Sequence, residues 1–462
     1  MKQISTRLGE QKISKLLLNL SLPATVGMLV NALYNLVDTI FVGRGVGAIA
    51  IGGLTVAFPI QMIIMAFAMM IGIGAASAIS RSLGEKNIER ADYVAGNSFL
   101  CVIILSAIIS ALGLIFTEPM LRIFGSTETI LPYAKDYIKI ILWGSIFFSF
   151  AMSSNNLIRA EGNAKVAMAS MLIGAILNII LDPIFIFIFK LGVKGAALAT
   201  IISQFISFLY ILIYLYSGKS SLKIKLHHLK PKINIIKEIF AIGSAAFSRQ
   251  ISGSVVAIVV NNSLRVFGGD IALIIVGMLQ RITMFMFMPL FGVIQGMQPI
   301  VGFNYGAKKY DRLKEAVKLA LITATALATF SWLIVELFPA AIISIFTTDT
   351  EIITKGSIVI RIAVSMIPFI GIQIVAAGLF QSLGKAVPSL VLSLLRQVLL
   401  FIPLVIILPR VWGLGIMGVW IAYPAADILS AILTVLYLRS ELKKMDFWFD
   451  SNLVREELSN LT

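Results

Sequence analysis

Gly84-Glu85-Lys86-Asn87-Ile88-Glu89-Arg90 returns, 222 residues further on, as Gly306-Ala307-Lys308-Lys309-Tyr310-Asp311-Arg312. The two heptads share G-x-K and an acid–Arg pair. At the same offset Gly47, Gly74, Phe124 and Gly162 fall on Gly269, Gly296, Phe346 and Gly384 without a gap. Isolated glycine matches arise by chance, but a match along one whole inter-helix loop does so far less readily. The chain reads as two copies of one unit.

Composition says what that unit is. Of 462 residues, 58% are hydrophobic and 13% charged, against roughly 25% charged in soluble domains. The charges sit in short clusters between long apolar runs. This excludes an ordinary soluble enzyme, a disordered chain and a collagen-like fibre. A bilayer core about 30 Å thick takes roughly 20 apolar residues per helix. Twelve such runs lie near 16–41, 49–79, 92–116, 132–157, 164–189, 193–216, 235–262, 270–300, 315–339, 356–380, 387–408 and 415–438. The first follows basic residues, yet it contains Pro23 and Asp38 and lacks a small-residue cleavage site, so it reads as a retained helix and not a signal peptide. The predicted fold is an all-α polytopic membrane protein of twelve transmembrane helices, in two six-helix bundles related by a parallel internal repeat. An N-terminal lobe spans 1–216, a basic linker 217–234, a C-terminal lobe 235–438 and a tail 439–462. Because six is even, both copies enter from the same side. Repeats of this kind surround a central cavity in alternating-access transporters.

Basic residues orient the chain. Assigning the N-terminus and every second loop to one side places 25 Lys and Arg there and nine on the other, with Arg249, Arg281, Arg361 and Arg396 inside helices. That bias predicts both termini in the cytoplasm, and it accounts for the net charge of +15 without nucleic acid. Cys101 is the only cysteine, so neither a disulfide framework nor a thiolate metal site can form. The two histidines, His227 and His228, are neighbours in the linker, which reads as a solvated, lipid-facing loop. No phosphate-loop motif occurs, since Gly84-Glu85-Lys86 and Gly306-Ala307-Lys308 lack the upstream glycine and the Ser/Thr.

Polar groups at bilayer depth are costly and therefore candidates for function. Asn31, Asn35 and Asp38 share one face of the first helix, at i, i+4 and i+7. Asn178 and Asp182 share a face of the fifth, followed by Pro183, whose ring frees a backbone carbonyl and permits a bend. Thr200 and Gln204 share a face of the sixth. If the stripes converge, two carboxylates meet a carboxamide and a hydroxyl in one pocket. Burial and like-charge repulsion favour uptake of a proton, while the same oxygens suit a dehydrated Na⁺. The alternative is that the acids only hydrogen-bond neighbouring helices. An intramembrane aspartyl protease is excluded by context, since its Tyr-Asp and Gly-x-Gly-Asp settings are here Val37-Asp38 and Leu181-Asp182.

The second copy does not repeat this pocket: position 38 maps to Val260. It offers Arg249, Gln250, Gln280, Arg281, Arg396 and Gln397, with Glu336 and Asp427 as partners. These read as interhelical ion pairs or snorkelling, or as an anion-recognising or gating set at Arg249 or Arg281. Methionines recur along the second helix (Met62, Met65, Met69, Met70) and the eighth (Met278, Met284, Met286, Met288, Met297). They serve either as ordinary packing or as an adaptable lining for apolar ligands. Candidate substrate-binding residues are Asn31, Tyr34, Asn35, Met65, Met69, Asn155, Gln204, Arg249, Gln250, Met284 and Met288. Pro23 and Pro183 are candidate hinges.

Three stretches carry a family likeness. Asn35-Leu36-Val37-Asp38-Thr39 with Phe41-Val42-Gly43 resembles the first-helix signature of multidrug and toxic compound extrusion (MATE) transporters. Asn178-Ile179-Ile180-Leu181-Asp182-Pro183 resembles their fifth-helix signature, and Gln298-Pro299-Ile300-Val301-Gly302-Phe303-Asn304-Tyr305-Gly306-Ala307 the segment closing the eighth helix. The likeness runs over essentially the whole chain. Arg249-Gln250 on the seventh helix, where the NorM-like branch has an acid, and the acid pair in the first lobe are similar to the DinF-like branch. The resemblance implies a cation-coupling site at Asp38, Asn178, Asp182 and Thr200. It implies antiport of H⁺ or Na⁺ against amphipathic organic compounds, with no resident cofactor and no catalysis. A flippase for a lipid-linked saccharide is the alternative, kept open by the basic residues of the second lobe. The expected protein is monomeric, binds small organic substrates and lipid but no nucleic acid, and sits in the cytoplasmic membrane.

Overall fold

A computed structural model describes residues 6–411 and 413–459; Lys2, counted in the charge bias, and the last three tail residues lie outside them. Lipid offers no partner to backbone N–H and C=O groups, so each apolar run closes its hydrogen bonds internally as helix. Among the described residues there is no strand. The spans are α1 (Ile13–Gly45), α2 (Ala48–Gly84), α3 (Ile88–Ile115), α4 (Leu131–Ala160), α5 (Ala164–Ile188) and α6 (Val193–Tyr216), then α7 (Ile233–Phe267), α8 (Gly269–Gly306), α9 (Tyr310–Leu337), α10 (Thr350–Val364 with Ile367–Ser382), α11 (Ala386–Arg410) and α12 (Ile416–Ser459). Twelve spans, six per repeat, are what the apolar runs predict. Two details differ. The tenth span is bent by 45°, because Pro368 has no N–H to donate and disfavours helical geometry in the residue before it. The last helix runs on through Ser459, well past the end of its apolar run.

The repeat is visible in the backbone. Left-handed residues recur at the same offset: Gly47 and Gly269 (φ 116° and 66°), Lys86 and Lys308 (59° and 56°), Gly162 and Gly384 (95° and 76°). In the opening heptads the Asn87 N–H donates to Ser82 O at 2.8 Å, and the Lys309 N–H donates to Asn304 O at 2.8 Å. Each is the long bond that closes a helix through a left-handed residue.

By packing, the chain forms two compact units. The first holds the chain through Ser254 with Phe287–Thr323 and Gly378–Ser393. One part of its core joins Ile60, Ile64, Leu121, Ile138 and Leu142. The loops carrying the two heptads lie in this unit, at the end that charge assigns to the cytoplasm, called here the basic end. There α2 crosses α8 at backbone distance: a Cβ on Gly84 would strike Phe303 O, and a Cβ on Gly306 would strike Arg81 O. Phe303 is the repeat partner of Arg81, so the contact is two-fold. Around it Ser77 Oγ donates to Gln381 O at 2.5 Å, and Glu238 accepts from Arg81 at 2.8 Å and Arg90 at 2.9 Å.

The linker's lysines are exposed, as a solvated loop requires, but its backbone is pinned and Ser220, Ser221, Leu222 and His228 are buried. His228 is 4% exposed, and its Nδ1 accepts the Lys225 N–H at 3.1 Å. Asp92 accepts the Lys223 N–H, Asn97 accepts the Lys232 N–H, and the Lys232 ammonium sits 3.1 Å from the Tyr93 ring centroid. Buried Glu161 accepts from Tyr214 OH, Ser220 Oγ and the Ser221 N–H. Polar residues in the first turns of α3, with Glu161 just after α4, thus bond the linker backbone and hold it down. Arg159, counted with the loop charges, is also buried.

The second unit holds Val255–Met286, Ala324–Ala377 and the chain from Leu394. Its core joins Val260, Leu264, Ala272, Val405 and Val419; Leu264, Ala272 and Val419 are the repeat partners of Val42, Ala50 and Ala197 in the first unit's core. Arg396 pairs with Asp427, whose side chain is fully buried, and Glu336 pairs with Arg361 at 3.6 Å. Both acids expected as partners therefore have one, though Glu336 takes Arg361. Along the spans of both units large apolar side chains remain exposed, among them Leu18, Trp143, Ile213 and Leu337, as lipid requires.

Two outcomes follow. Gly84→Ala and Gly306→Ala should each cost about 1–3 kcal/mol by overpacking. Gly253→Ala, with nothing within 4 Å of the added carbon, should be neutral or slightly stabilising; thermal unfolding in detergent separates them. Burial, then repulsion from His227, pushes His228 below its ordinary value. A histidine whose folded pKa is depressed contributes stability above its unfolded pKa of about 6.5, lost as pH falls through the folded value. Hydrogen-exchange protection at 225–232, corrected for intrinsic rates, should drop between pH 7.5 and about 5.5, and His228→Phe should remove that pH dependence.

Candidate functional site

Helix α1 brings Asp38 against α5. Asp38 and Asp182 are 6% and 0% exposed, and their side chains lie within hydrogen-bond reach of one another. Asn178, one turn before Asp182, donates through Nδ2 to Asp182 Oδ1 at 3.2 Å and to Thr200 Oγ1 at 3.4 Å. Thr200 in turn donates to Ala196 O at 3.0 Å. Asp38, Asn178, Asp182 and Thr200, the four of the seven stripe residues that the family resemblance implies, therefore lie together. Pro183 closes the α-helical part of α5, and Ile184–Ile188 continue as a π-helix, a form that often marks functional positions. Pro23 lies buried inside an unbroken α1.

Three oxygens here have no donor: Asp38 Oδ1, Asn178 Oδ1 and Asp182 Oδ2. Buried polar atoms are almost always satisfied, and two buried carboxylates side by side repel strongly. A proton shared between the acids, or a monovalent cation among these oxygens and Thr200 Oγ1, removes both difficulties. Among the described residues no group of three or more His, Cys, Asp or Glu gathers anywhere. Two acids with neutral oxygen donors suit a singly charged hard cation better than a transition metal.

Beyond Asn178 and Thr200 opens a cavity of about 130 Å³. Of the residues proposed from sequence, Asn31, Tyr34, Met65, Asn155, Asn178, Thr200 and Gln204 line it. Asn35 points outward along α1, donating to Asn31 O at 2.7 Å. Met69 is half-buried on α2. The Arg249 guanidinium lies 5.6 Å from the Phe291 ring centroid, Gln250 donates to Met62 Sδ at 3.0 Å, and Met288 is buried; none of these lines the cavity. Met284 is exposed in the second unit. Sequence reasoning missed Ser203 and Ser207, which extend the Thr200 and Gln204 stripe at helical spacing and line the cavity. It also missed Tyr137, buried on α4 within electrostatic range of both acids. The period of α6 could have shown the serines; nothing local marks Tyr137.

The MatE family model matches residues 23–184 and again 246–407. The second match begins 223 residues after the first (246 against 23), within one residue of the heptad offset. "Multidrug export protein MepA" of Staphylococcus haemolyticus (strain JCSC1435) is 28% identical over 431 residues, covering 93% of this chain and 94% of that one. The solved structure of the MATE multidrug transporter DinF-BH, a ligand complex, is 47% identical with a TM-score of 0.87, over 95% of this chain and 98% of that one. "Outward-facing conformation of a multidrug resistance MATE family transporter of the MOP superfamily" is 28% identical with a TM-score of 0.90, over 96% and 99%. With the family model spanning most of the chain and twelve spans in a two-fold repeat, the chain belongs to the MATE family of transporters, in its DinF-like branch, and is not an enzyme.

Proposed function

We propose that the chain exports amphipathic organic compounds in exchange for H⁺ or Na⁺, and that Asp38, Asn178, Asp182 and Thr200 take up the cation. The observation that carries this reading is the adjacency of the acid pair and the 130 Å³ cavity, with Asn178 bonded to Asp182 and itself lining the cavity. The cavity combines apolar surface (Met65, Phe148, Met171) with carboxamides and hydroxyls, a lining suited to flat amphipathic molecules. Cation binding relieves repulsion at the pair, changes the packing of α1 against α5 and displaces the compound from the shared wall. Lobes 1–216 and 235–438, joined by the linker, then exchange access, with Pro23 and Pro183 absorbing the bend. The working unit is a monomer in the cytoplasmic membrane with both termini in the cytoplasm. Ethidium, a flat, fluorescent and amphipathic organic cation, matches that lining and serves as the first probe.

Transport of ethidium into or out of proteoliposomes, under separately imposed pH and Na⁺ gradients, tests the proposal. Wild type should follow at least one gradient. Asp38→Asn and Asp182→Asn should each lose that response by about tenfold or more, the factor set by roughly 1.4 kcal/mol of coupling energy. Gradient-driven export that survives either substitution sinks the coupling assignment. If wild type moves no organic compound under either gradient, the exporter reading fails and a lipid-linked saccharide becomes the substrate to try.

A further inference from the structure

Arg159 stands in the last turn of α4, at the basic end, and is 9% exposed. Among the described residues it joins no ion pair, and its one side-chain hydrogen bond runs from Nη2 to Asn156 Oδ1 at 3.1 Å. It lines a small cavity of about 20 Å³, apart from the site described above. The cavity lies wholly within the first unit, and among the described residues no carboxylate lines it.

Repeat symmetry explains its location. Most of its wall consists of positions that recur 222 residues apart: Ile73 with Gln295, Ser77 with Pro299, Arg159 with Gln381. The cavity thus sits where the two copies face each other across the α2–α8 crossing. The copies match in backbone and differ in chemistry, since one places a guanidinium where the other places an amide. A charge removed from water without a counter-charge is strongly disfavoured, and the last carbonyls of α4 supply only a partial one. A second buried donor, Gln381 Nε2, lacks a partner at the same cavity. Gln295 Oε1 is unpaired there too, and a half-turn of its amide adds a third donor. A cavity holds one water from about 10–15 Å³ upward, so 20 Å³ has room for a small guest, and a monatomic anion is the one that fits with least rearrangement.

We propose that this cavity binds one monatomic anion of chloride or bromide size, held by Arg159 and the Gln381 amide. Because its donors come from both copies, the anion binds only while the basic end is sealed, and it stabilises the sealed state.

The test uses full-length protein in detergent at fixed sodium concentration, with gluconate exchanged stepwise for chloride or bromide. The wild-type unfolding midpoint should rise saturably, by roughly 2–5 °C, and Arg159→Gln should show the same midpoint in all three salts. Crystals of the wild type grown in bromide should carry an anomalous peak within hydrogen-bond distance of the Arg159 guanidinium; this readout stands even if the variant does not fold. Equal wild-type midpoints in gluconate, chloride and bromide, or a bromide-containing crystal with no peak at Arg159, mean that the cavity holds water alone and overturn the proposal.

Discussion

Two buried carboxylates side by side set the terms for the rest of this molecule. Asp38 on α1 and Asp182 on α5 cannot both carry a charge there unless something positive lies between them. The state of that pair therefore decides how closely two helices pack. Helix α5 leaves α-geometry directly after the second acid, at Pro183, where such a change is most easily absorbed. Asn178 bonds Asp182 and Thr200, and both Asn178 and Thr200 line the larger cavity. On the proposed reading a charge event and a binding event share these two residues, which is a simple structural basis for exchanging one for the other.

The repeat supplies the frame and stops short of the chemistry. Left-handed residues, helix closures and the glycine crossing of α2 with α8 recur at one offset, because steric demands on backbone tolerate few solutions. Side chains facing the interior carry no such demand. The partner of Asp38 is Val260, packed in an apolar cluster, and the second unit's buried acid, Asp427, is already paired with Arg396. A buried acid held by a guanidinium is a structural tie, whereas the Asp38–Asp182 pair retains unpartnered oxygens. The same divergence leaves Arg159 and Gln381 at one cavity by the basic end.

Much of this was legible in the sequence because lipid simplifies it. Apolar length gives the spans, helical period gives the faces, and any polar residue on such a face is conspicuous; the stripes through Asp38, Asp182 and Thr200 stood out on that basis, and the family resemblance narrowed them to Asp38, Asn178, Asp182 and Thr200. What escaped was decided by tertiary contact. The linker looked like a free loop because its five lysines are visible in the sequence, and the groups that pin its backbone, Asp92, Asn97 and Glu161, lie in other segments. Arg159 looked like a loop charge because it ends a helix, and only packing across the repeat shows it enclosed. Tyr137 belongs to the same class. The bend in α10 is different: Pro368 was there to be read, and the apolar run around it hid the break.

The central claim is that cation and organic substrate compete across the Asn178–Thr200 wall, and reciprocal linkage tests it most directly. Binding of ethidium to the purified protein should be measured across pH at zero Na⁺, and across Na⁺ at fixed alkaline pH. The account predicts that dye affinity falls as one of these cations rises, and that the dependence disappears in Asp38→Asn. Affinity that is flat in both titrations, or that varies equally in wild type and Asp38→Asn, would contradict it.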